Sequence, residues 1–122
     1  MSETYSSFNT DTWLWFLQRV TAALLIFTVA FHFLWLHFVN HAAEITLQGS
    51  AFRMSQLGYL LTMLLFLVTG AFHGVNGVYN ALINQGLDGT PKQVMKWVLV
   101  VAGLLVVVQG FRVASAMAGV TV

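Results

Sequence analysis

Residues 57–82, LGYLLTMLLFLVTGAFHGVNGVYNAL, decide the fold, because this long apolar run contains no Asp, Glu, Lys or Arg. A helix needs about 20 apolar residues to cross a hydrocarbon core of about 30 Å. Two further runs, at about 13–38 and 94–117, are also long enough. The three runs largely lack the polar face every 3.6 residues that is typical of a soluble helix. The pattern predicts an all-α integral membrane protein with three spanning helices.

The residues around the apolar runs refine the predicted boundaries. The polar, Gly-bearing stretch 84–89 ends the second helix, and residues 90–93 (TPKQ) predict a capping box with Pro91 at the first helical position. Either Asp11 or Thr12 is expected to cap the first helix. Part of the longer link, residues 42–47, is expected to lie flat in the interface. The chain is predicted to be a single transmembrane domain over 1–122, with helices at about 13–38, 57–84 and 91–118.

Composition supports a membrane location and excludes several classes of function. Hydrophobic residues make up 58% of the chain and charged residues 7%, whereas soluble domains carry about 25% charged residues. The chain has no nucleic-acid-binding patch. The absence of cysteine excludes disulfides, thiolate metal sites and iron–sulfur ligation by this chain. With so few charges and no exposed catalytic framework, the chain is expected to work inside a larger assembly.

The N-terminal segment and the basic residues predict the orientation. Residues 1–12 carry Glu3 and Asp11 but no Lys or Arg, so the first apolar run is not a cleaved signal peptide. Three crossings leave the termini on opposite sides of the membrane. The N-terminal side then holds one more basic residue than the other side, which favours a cytoplasmic N-terminus. The residues compared are Arg19, Lys92 and Lys96 against Arg53 and Arg112.

The second helix carries polar and small residues on one face. The residues Gly70, His73, Gly77, Asn80 and Asn84 recur at spacings of three and four. One interpretation is that His73 is an axial haem ligand, with Gly70 and Gly77 leaving room for a flat porphyrin. The other is a small-residue helix-packing face in which His73 bonds to a neighbouring helix. The residues alone leave both interpretations open.

The first helix carries His32 and His37 near its far end, and His41 lies just beyond it. His41 and His37 are expected at the membrane interface, while His32 lies deeper and is the better ligand candidate. By helical rise, His32 and His73 differ in depth by roughly 13 Å. Because the axial ligands of one haem lie at nearly the same depth, these two histidines are not expected to share one iron. Each would need a partner histidine from another chain.

Arg19 lies about two turns into the first helix, after Trp15 and Gln18. One interpretation is an arginine that extends its charged end to lipid headgroups. The other is a hydrogen-bond donor to a polar ligand at the membrane edge, such as a quinone carbonyl. Gln18 and Trp15 would then help to form the slot for the quinone ring.

Two motifs resemble a known family. Residues 15–21 (WFLQRVT) resemble the "H/Q-R-x-[ST]-G/A" opening of succinate dehydrogenase cytochrome b anchor subunits. Residues 73–78 (HGVNGV) resemble their "H-x-x-N-G-[IV]" haem segment. The order, the spacing and the three-helix length agree over essentially the whole chain. Residues 31–43 and 72–85 look most similar to the SdhD-type hydrophobic anchor of halophilic archaea. Gln18 stands where many members have a histidine.

The resemblance implies a role that composition does not. Such anchors pair with a second three-helix, SdhC-type subunit and hold the iron–sulfur and flavoprotein subunits on the cytoplasmic face of the cell membrane. It implies haem b ligation by His73, beside Gly70 and Gly77, and a quinone site at Arg19 with Gln18 and Trp15. In members with two haems, the first helix supplies a ligand at the place of His32. The implied function is electron transfer from succinate to quinone.

Two functions other than that of a redox anchor are also compatible with a three-span chain. One is a structural membrane subunit that packs through glycine faces and binds no cofactor, and Gly103 and Gly110 of the third helix share such a face. The other is a small transporter. The sequence has neither the acidic relay nor the broken apolar helix that marks a transport path, so the transporter is the weakest of the three.

Overall fold

The computed structural model describes residues 10–119, and this part of the chain is almost entirely helical. Three helices are long and apolar enough to cross a membrane, as predicted. The elements in chain order are α1 (Thr10–Leu34), a π-helical turn (Trp35–Val39), a 3-10 turn (Ala42–Glu44), α2 (Leu47–Ser55), α3 (Leu57–Asn84) and α4 (Gly89–Met117). The π-helical turn continues α1, so the first spanning segment reaches Val39.

The short helix α2 was not predicted. The link between the first two spans was expected to contain only a flat segment at 42–47, but residues 42–44 form a single 3-10 turn and a helix follows at Leu47–Ser55. Thr46 caps this helix, since its hydroxyl oxygen accepts from the Gly49 N–H at 3.0 Å. This helix is too short and too polar to form an apolar run, although Thr46 before it is a typical N-cap residue.

Two predicted helix starts were wrong. α4 begins at Gly89 with Asp88 at the N-cap, so residues 90–93 do not form the expected capping box. The first backbone bond of α4 runs from the Lys92 N–H to the Asp88 carbonyl at 3.4 Å. Pro91 therefore lies inside the first turn, where its missing N–H is not needed. α1 spans Thr10–Leu34, so Asp11 lies within its first turn and Thr12 inside the helix, and neither takes the predicted cap position.

The end of α3 follows the predicted polar turn. Gly86 has a φ of +94°, which a glycine adopts without steric cost. Its N–H bonds to the Ile83 carbonyl at 2.9 Å, and the Leu87 N–H bonds to the Leu82 carbonyl at 3.0 Å. This pair of bonds is a Schellman motif, which satisfies carbonyls that the helix end would leave unpaired. It reverses the chain within the few residues before α4.

α3 lies between the other two spanning helices. It contacts α1 along one side and α4 along the other, and α2 packs across the ends of α3 and α4. Within residues 10–119, no Cα of α1 comes within 8 Å of a Cα of α4. The three spans therefore form a single layer. Such a layer leaves most of each helix uncovered by the chain itself.

Burial in this layer is the reverse of that in a soluble protein. Among the described residues, the buried polar side chains are Thr21, Thr28, Thr69 and Asn76, and the buried apolar ones are only Met54 and Ala114. Large apolar side chains are exposed instead: Phe27 is 75% exposed and Ile26 is 70% exposed. Lipid or a partner helix must cover these side chains, because so extensive an apolar surface is not stable in water.

Glycines set the contact between α3 and α4. A Cβ atom added at Gly110 would lie 2.5 Å from Leu67 Cδ2 and 3.1 Å from Leu67 Cγ. One added at Gly103 would lie 2.7 Å from Val75 Cγ2. The helices therefore approach most closely where α4 has no side chain, as the shared face of the two glycines predicted.

Substituting Gly110 should loosen this contact. We expect Gly110→Ala to lower the free energy of unfolding of the full chain in detergent micelles by about 1–3 kcal/mol, the usual cost of overpacking. Leu67 cannot relieve the clash by moving only its methyl groups, because its Cγ is also close. Unfolding by a denaturing detergent, followed by circular dichroism, measures the effect.

Gly58→Ala is the matched control, since nothing lies within 4 Å of a Cβ atom at that position. It should leave stability unchanged or raise it slightly, because Ala favours helix over Gly. Equal stability of the Gly110→Ala variant and the wild type would contradict the packing.

Candidate functional site

The polar residues of α1 and α3 face each other across a shared interface. On α1, Gln18, Thr21, Thr28 and His32 recur at spacings of three, seven and four, which places them on one helix face. α3 meets this face with its own polar residues, which are Tyr59, Thr69, His73 and Asn76. The candidate site is the part of this interface around His73.

Thr21 forms the closest contact with His73. The Thr21 hydroxyl oxygen lies 3.1 Å from His73 Nδ1, and Thr21 is buried. The same hydroxyl lies 2.7 Å from the Leu17 carbonyl one turn earlier. Thr21 therefore connects the backbone of α1 to the imidazole of α3.

Gln18 joins the same network through its amide. Its Nε2 donates to the His73 carbonyl oxygen at 3.2 Å and lies 3.5 Å from His73 Nε2. Asn76, which is buried, donates to Gln18 Oε1 at 2.8 Å. Both ends of the Gln18 amide are thus engaged. His73 Nε2 has the longest of these contacts and is the ring atom that the network holds least.

The glycines beside His73 pack against α1. A Cβ atom at Gly77 would lie 3.0 Å from Gln18 Nε2, and one at Gly70 would lie 3.8 Å from Leu25 Cδ2. The space that was expected to admit a flat cofactor at these two positions is therefore occupied by side chains of α1. Gly74 is different, because it is exposed and has nothing within 4 Å of a Cβ position.

His32 lies near the other end of the same interface. Its Nδ1 is 3.4 Å from the Tyr59 hydroxyl, and its ring stacks on Phe66 with the centroids 6.4 Å apart. His73 is level with Thr21, eleven residues before His32 on α1. At 1.5 Å per residue, the two histidines are about 16 Å apart along the helix. This separation is too large for both to ligate one iron.

The last two histidines lie outside this interface. His37 is in the π-helical turn, is exposed, and stacks on Phe33 with a centroid distance of 5.0 Å. His41 is exposed beyond the turn and has a φ of +50°. Neither contacts His32 or His73 among the described residues.

The residues predicted to bind quinone fall into two groups. Arg19 places its guanidinium carbon 3.8 Å from the centre of the Trp15 ring, and both side chains are exposed. Such a cation–π contact holds the charge at a defined place on the helix surface. Gln18 faces α3 instead and belongs to the His73 network. The structure therefore joins Arg19 to Trp15 but not to Gln18.

A groove of about 550 Å³ is lined mainly by α3 and α4, and the start of α1 borders one end of it. Its walls are mostly apolar, and its polar residues lie toward the end at which α1 begins. Those polar residues are Asp11, Asn76, Tyr79 and Lys96. Asn76 thus borders both the groove and the His73 network.

The donor groups limit what this chain alone holds. Within residues 10–119, no three His, Cys, Asp or Glu side chains are close enough to bind a metal ion together.

Sequence reasoning missed Thr21 and Asn76 as members of the site. Both residues lay within the motifs that were quoted, but neither was given a role. The signal was present, because Asn76 follows His73 by three residues and Thr21 follows Gln18 by three. Comparing the polar faces of the two helices would have paired them.

These features define a three-span membrane subunit with a histidine-centred polar site between its first two spans. A family model of the succinate dehydrogenase/fumarate reductase transmembrane subunit matches residues 2–112. The chain belongs to this family. No curated protein and no solved structure matches the chain.

Proposed function

We propose that the chain is the membrane anchor of a succinate dehydrogenase that binds haem b through His73 and forms part of a quinone site at Arg19. The oxidation of succinate itself belongs to partner subunits. Within the family we assign the chain to the SdhD-type anchors, on the similarity of residues 31–43 and 72–85 to the form in halophilic archaea. Haem b, when bound, supplies a one-electron carrier between the iron–sulfur subunit and the membrane.

The observation that carries the haem assignment is the state of the His73 ring. Its Nδ1 is hydrogen-bonded to the Thr21 hydroxyl at 3.1 Å, whereas the contact of Nε2 with the Gln18 amide nitrogen is longer, at 3.5 Å. A haem ligand needs one ring nitrogen with a free lone pair and a second that is held by a hydrogen bond. The donor set of this site therefore fits a haem iron at Nε2. Since Gly70 and Gly77 are covered by α1, we infer that they bring the helices together and so fix His73.

Two features support a partner anchor. The three spans leave large apolar side chains exposed along their whole length. His73 also has no second histidine at its own depth among the described residues, since His32 is about 16 Å away along the helix. We infer that an SdhC-type anchor supplies the opposite ligand, and that the two anchors together hold the iron–sulfur and flavoprotein subunits. In a two-haem complex, His32 would bind the second haem.

Arg19 is the residue we assign to the quinone. Its guanidinium is charged, exposed and held against Trp15, and Arg19 lies two residues before Thr21, which contacts His73. A quinone carbonyl accepts hydrogen bonds, and an arginine at the edge of an apolar surface is a suitable donor. Gln18 acts here indirectly, because its amide is committed to His73 and Asn76. We infer that the N-terminal side faces the cytoplasm.

His73→Ala should remove the b-type signal from the complex or strongly perturb it. The reason is the loss of the nitrogen that we assign to the iron. The measurement is a reduced-minus-oxidised spectrum of the purified complex, with haem quantified per flavin to correct for assembly. His37→Ala is the control, since His37 is exposed and distant from α3, and it should retain every haem.

An unchanged spectrum and potential in the His73→Ala complex would reject the ligand assignment. The structural, cofactor-free function would then be favoured, because the packing of Gly70 and Gly77 against α1 fits that function equally well. A wild-type complex that contains flavin but no haem band would have the same meaning.

Arg19→Ala should lower quinone reduction by at least tenfold while succinate oxidation by a soluble artificial acceptor survives. A tenfold loss corresponds to about 1.4 kcal/mol, within the range for one hydrogen bond to a charged group. The control is Arg112→Ala, because Arg112 is also exposed but contacts only Gln109, at 3.5 Å. Equal quinone reduction by the Arg19→Ala variant and the wild type would show that Arg19 does not bind quinone and would favour its role as an anchor to lipid headgroups.

Single cysteines should report the orientation, since the chain has none of its own. Gln48→Cys in α2 and Asp88→Cys before α4 alter exposed residues at opposite ends of the spans. With the N-terminus cytoplasmic, an impermeant thiol reagent should label Gln48→Cys in intact cells and Asp88→Cys only after permeabilisation. The reverse pattern would place the N-terminus outside.

A further inference from the structure

We propose that Thr21 is a positioning residue that holds His73 in the tautomer protonated at Nδ1, which places the lone pair on Nε2, the nitrogen that would bind iron in place of its 3.5 Å contact with the Gln18 amide. The proposal rests on the proposed function, since it assigns a role toward the haem. The proposal is supported by the burial of Thr21 and by the distances from its hydroxyl oxygen to three neighbouring atoms.

The single hydroxyl hydrogen of Thr21 decides the tautomer. The Thr21 oxygen is 2.7 Å from the Leu17 carbonyl oxygen and 3.2 Å from the Gln18 carbonyl oxygen. Two oxygen atoms at 2.7 Å without a hydrogen between them would repel each other, so the hydroxyl donates to Leu17. The oxygen then faces His73 Nδ1 at 3.1 Å with its lone pairs. Nδ1 must therefore carry the proton.

Protonation of Nδ1 determines the state of the other ring nitrogen of His73, Nε2. A neutral imidazole has one protonated nitrogen and one with a lone pair, and the hydrogen bond at one nitrogen sets the state of the other. With the proton at Nδ1, the lone pair lies at Nε2. An acceptor at Nδ1–H also raises the basicity of the ligand and fixes the plane of the ring. Thr21 thus selects the ligating atom without touching the iron.

The neighbouring contacts strengthen this assignment. The Thr21 side chain is buried, and the bond to the Leu17 carbonyl prevents its hydroxyl from rotating to donate to Nδ1. Gln18 holds the His73 carbonyl oxygen at 3.2 Å, which limits movement of the helix that carries the ring. Both constraints come from one face of α1.

The chain supplies a matched control for this threonine. Thr28 is also buried on the same face of α1, two turns later. It makes the same backbone bond, to the Leu24 carbonyl at 3.0 Å. Among the described residues, the hydrogen bonds of its hydroxyl go to carbonyls of its own helix and not to a histidine. Thr28→Val therefore removes an equivalent buried hydroxyl without affecting an imidazole.

The first measurement is made on the full chain without haem. Nitrogen-15 NMR of histidine-labelled protein in micelles should show His73 protonated at Nδ1, with the signal assigned by its loss in His73→Gln. Thr21→Val should abolish this preference, and Thr21→Ser should keep it, because serine retains the hydroxyl. Finding wild-type His73 protonated at Nε2 would overturn the proposal.

The second measurement is the haem midpoint potential in the assembled complex. Thr21→Val should raise the potential, because a less basic imidazole stabilises the ferric state less, and should weaken haem retention by about 10–100-fold. Thr21→Ser should restore both values, and Thr28→Val should change neither. A wild-type potential in Thr21→Val would overturn the positioning role while leaving His73 as the ligand. Retention of all haem in His73→Ala would overturn the proposed function and this inference together.

Discussion

The rest of the structure depends on one constraint, which is that polar groups inside an apolar layer need partners. An unpaired polar group in hydrocarbon costs several kcal/mol. The buried threonines of the spanning helices meet the constraint by donating to carbonyls one turn earlier: Thr21, Thr28 and Thr69 all do so. Gln18, His73 and Asn76 have no such local solution, so they bond to one another across α1 and α3. The contact between these two helices is therefore specified by polarity as well as by shape.

The fold was largely predictable, because each span is longer and more apolar than a soluble helix needs to be. The turn at Gly86 was also predictable, since a polar stretch with glycine ends a helix in a characteristic way. The predictions that were wrong concerned α2 and the start of α4, which depend on local backbone geometry. α2 is short and polar, so its only sequence signal was the cap at Thr46. The start of α4 was misplaced because Asp88, not Thr90, takes the N-cap position.

The sequence predicted His73 as the centre of the candidate site, but it did not predict the residues of α1 that bond to His73. His73 stood out because a lone histidine in the middle of an apolar helix is costly and therefore informative. Its partners did not stand out, because Thr21 and Gln18 lie on another helix, and the sequence does not state which faces meet. The same gap led Gln18 to be grouped with Arg19, its neighbour in sequence. Adjacent residues on a helix point about 100° apart, so a shared motif does not imply a shared contact.

The arrangement of the three spans also explains why the site lies where it does. A single layer of helices has one well-packed interface on each side of α3, and these serve different purposes. The α3–α4 interface uses Gly103 and Gly110 to bring the backbones close. The α1–α3 interface accepts polar groups, and Gly70 and Gly77 draw the helices close enough for their side chains to bond. The α4 contact fixes α3 in the layer, while the α1 contact fixes the orientation of the His73 ring. The rest of the layer is exposed, and its apolar side chains must be covered by lipid or by a partner helix.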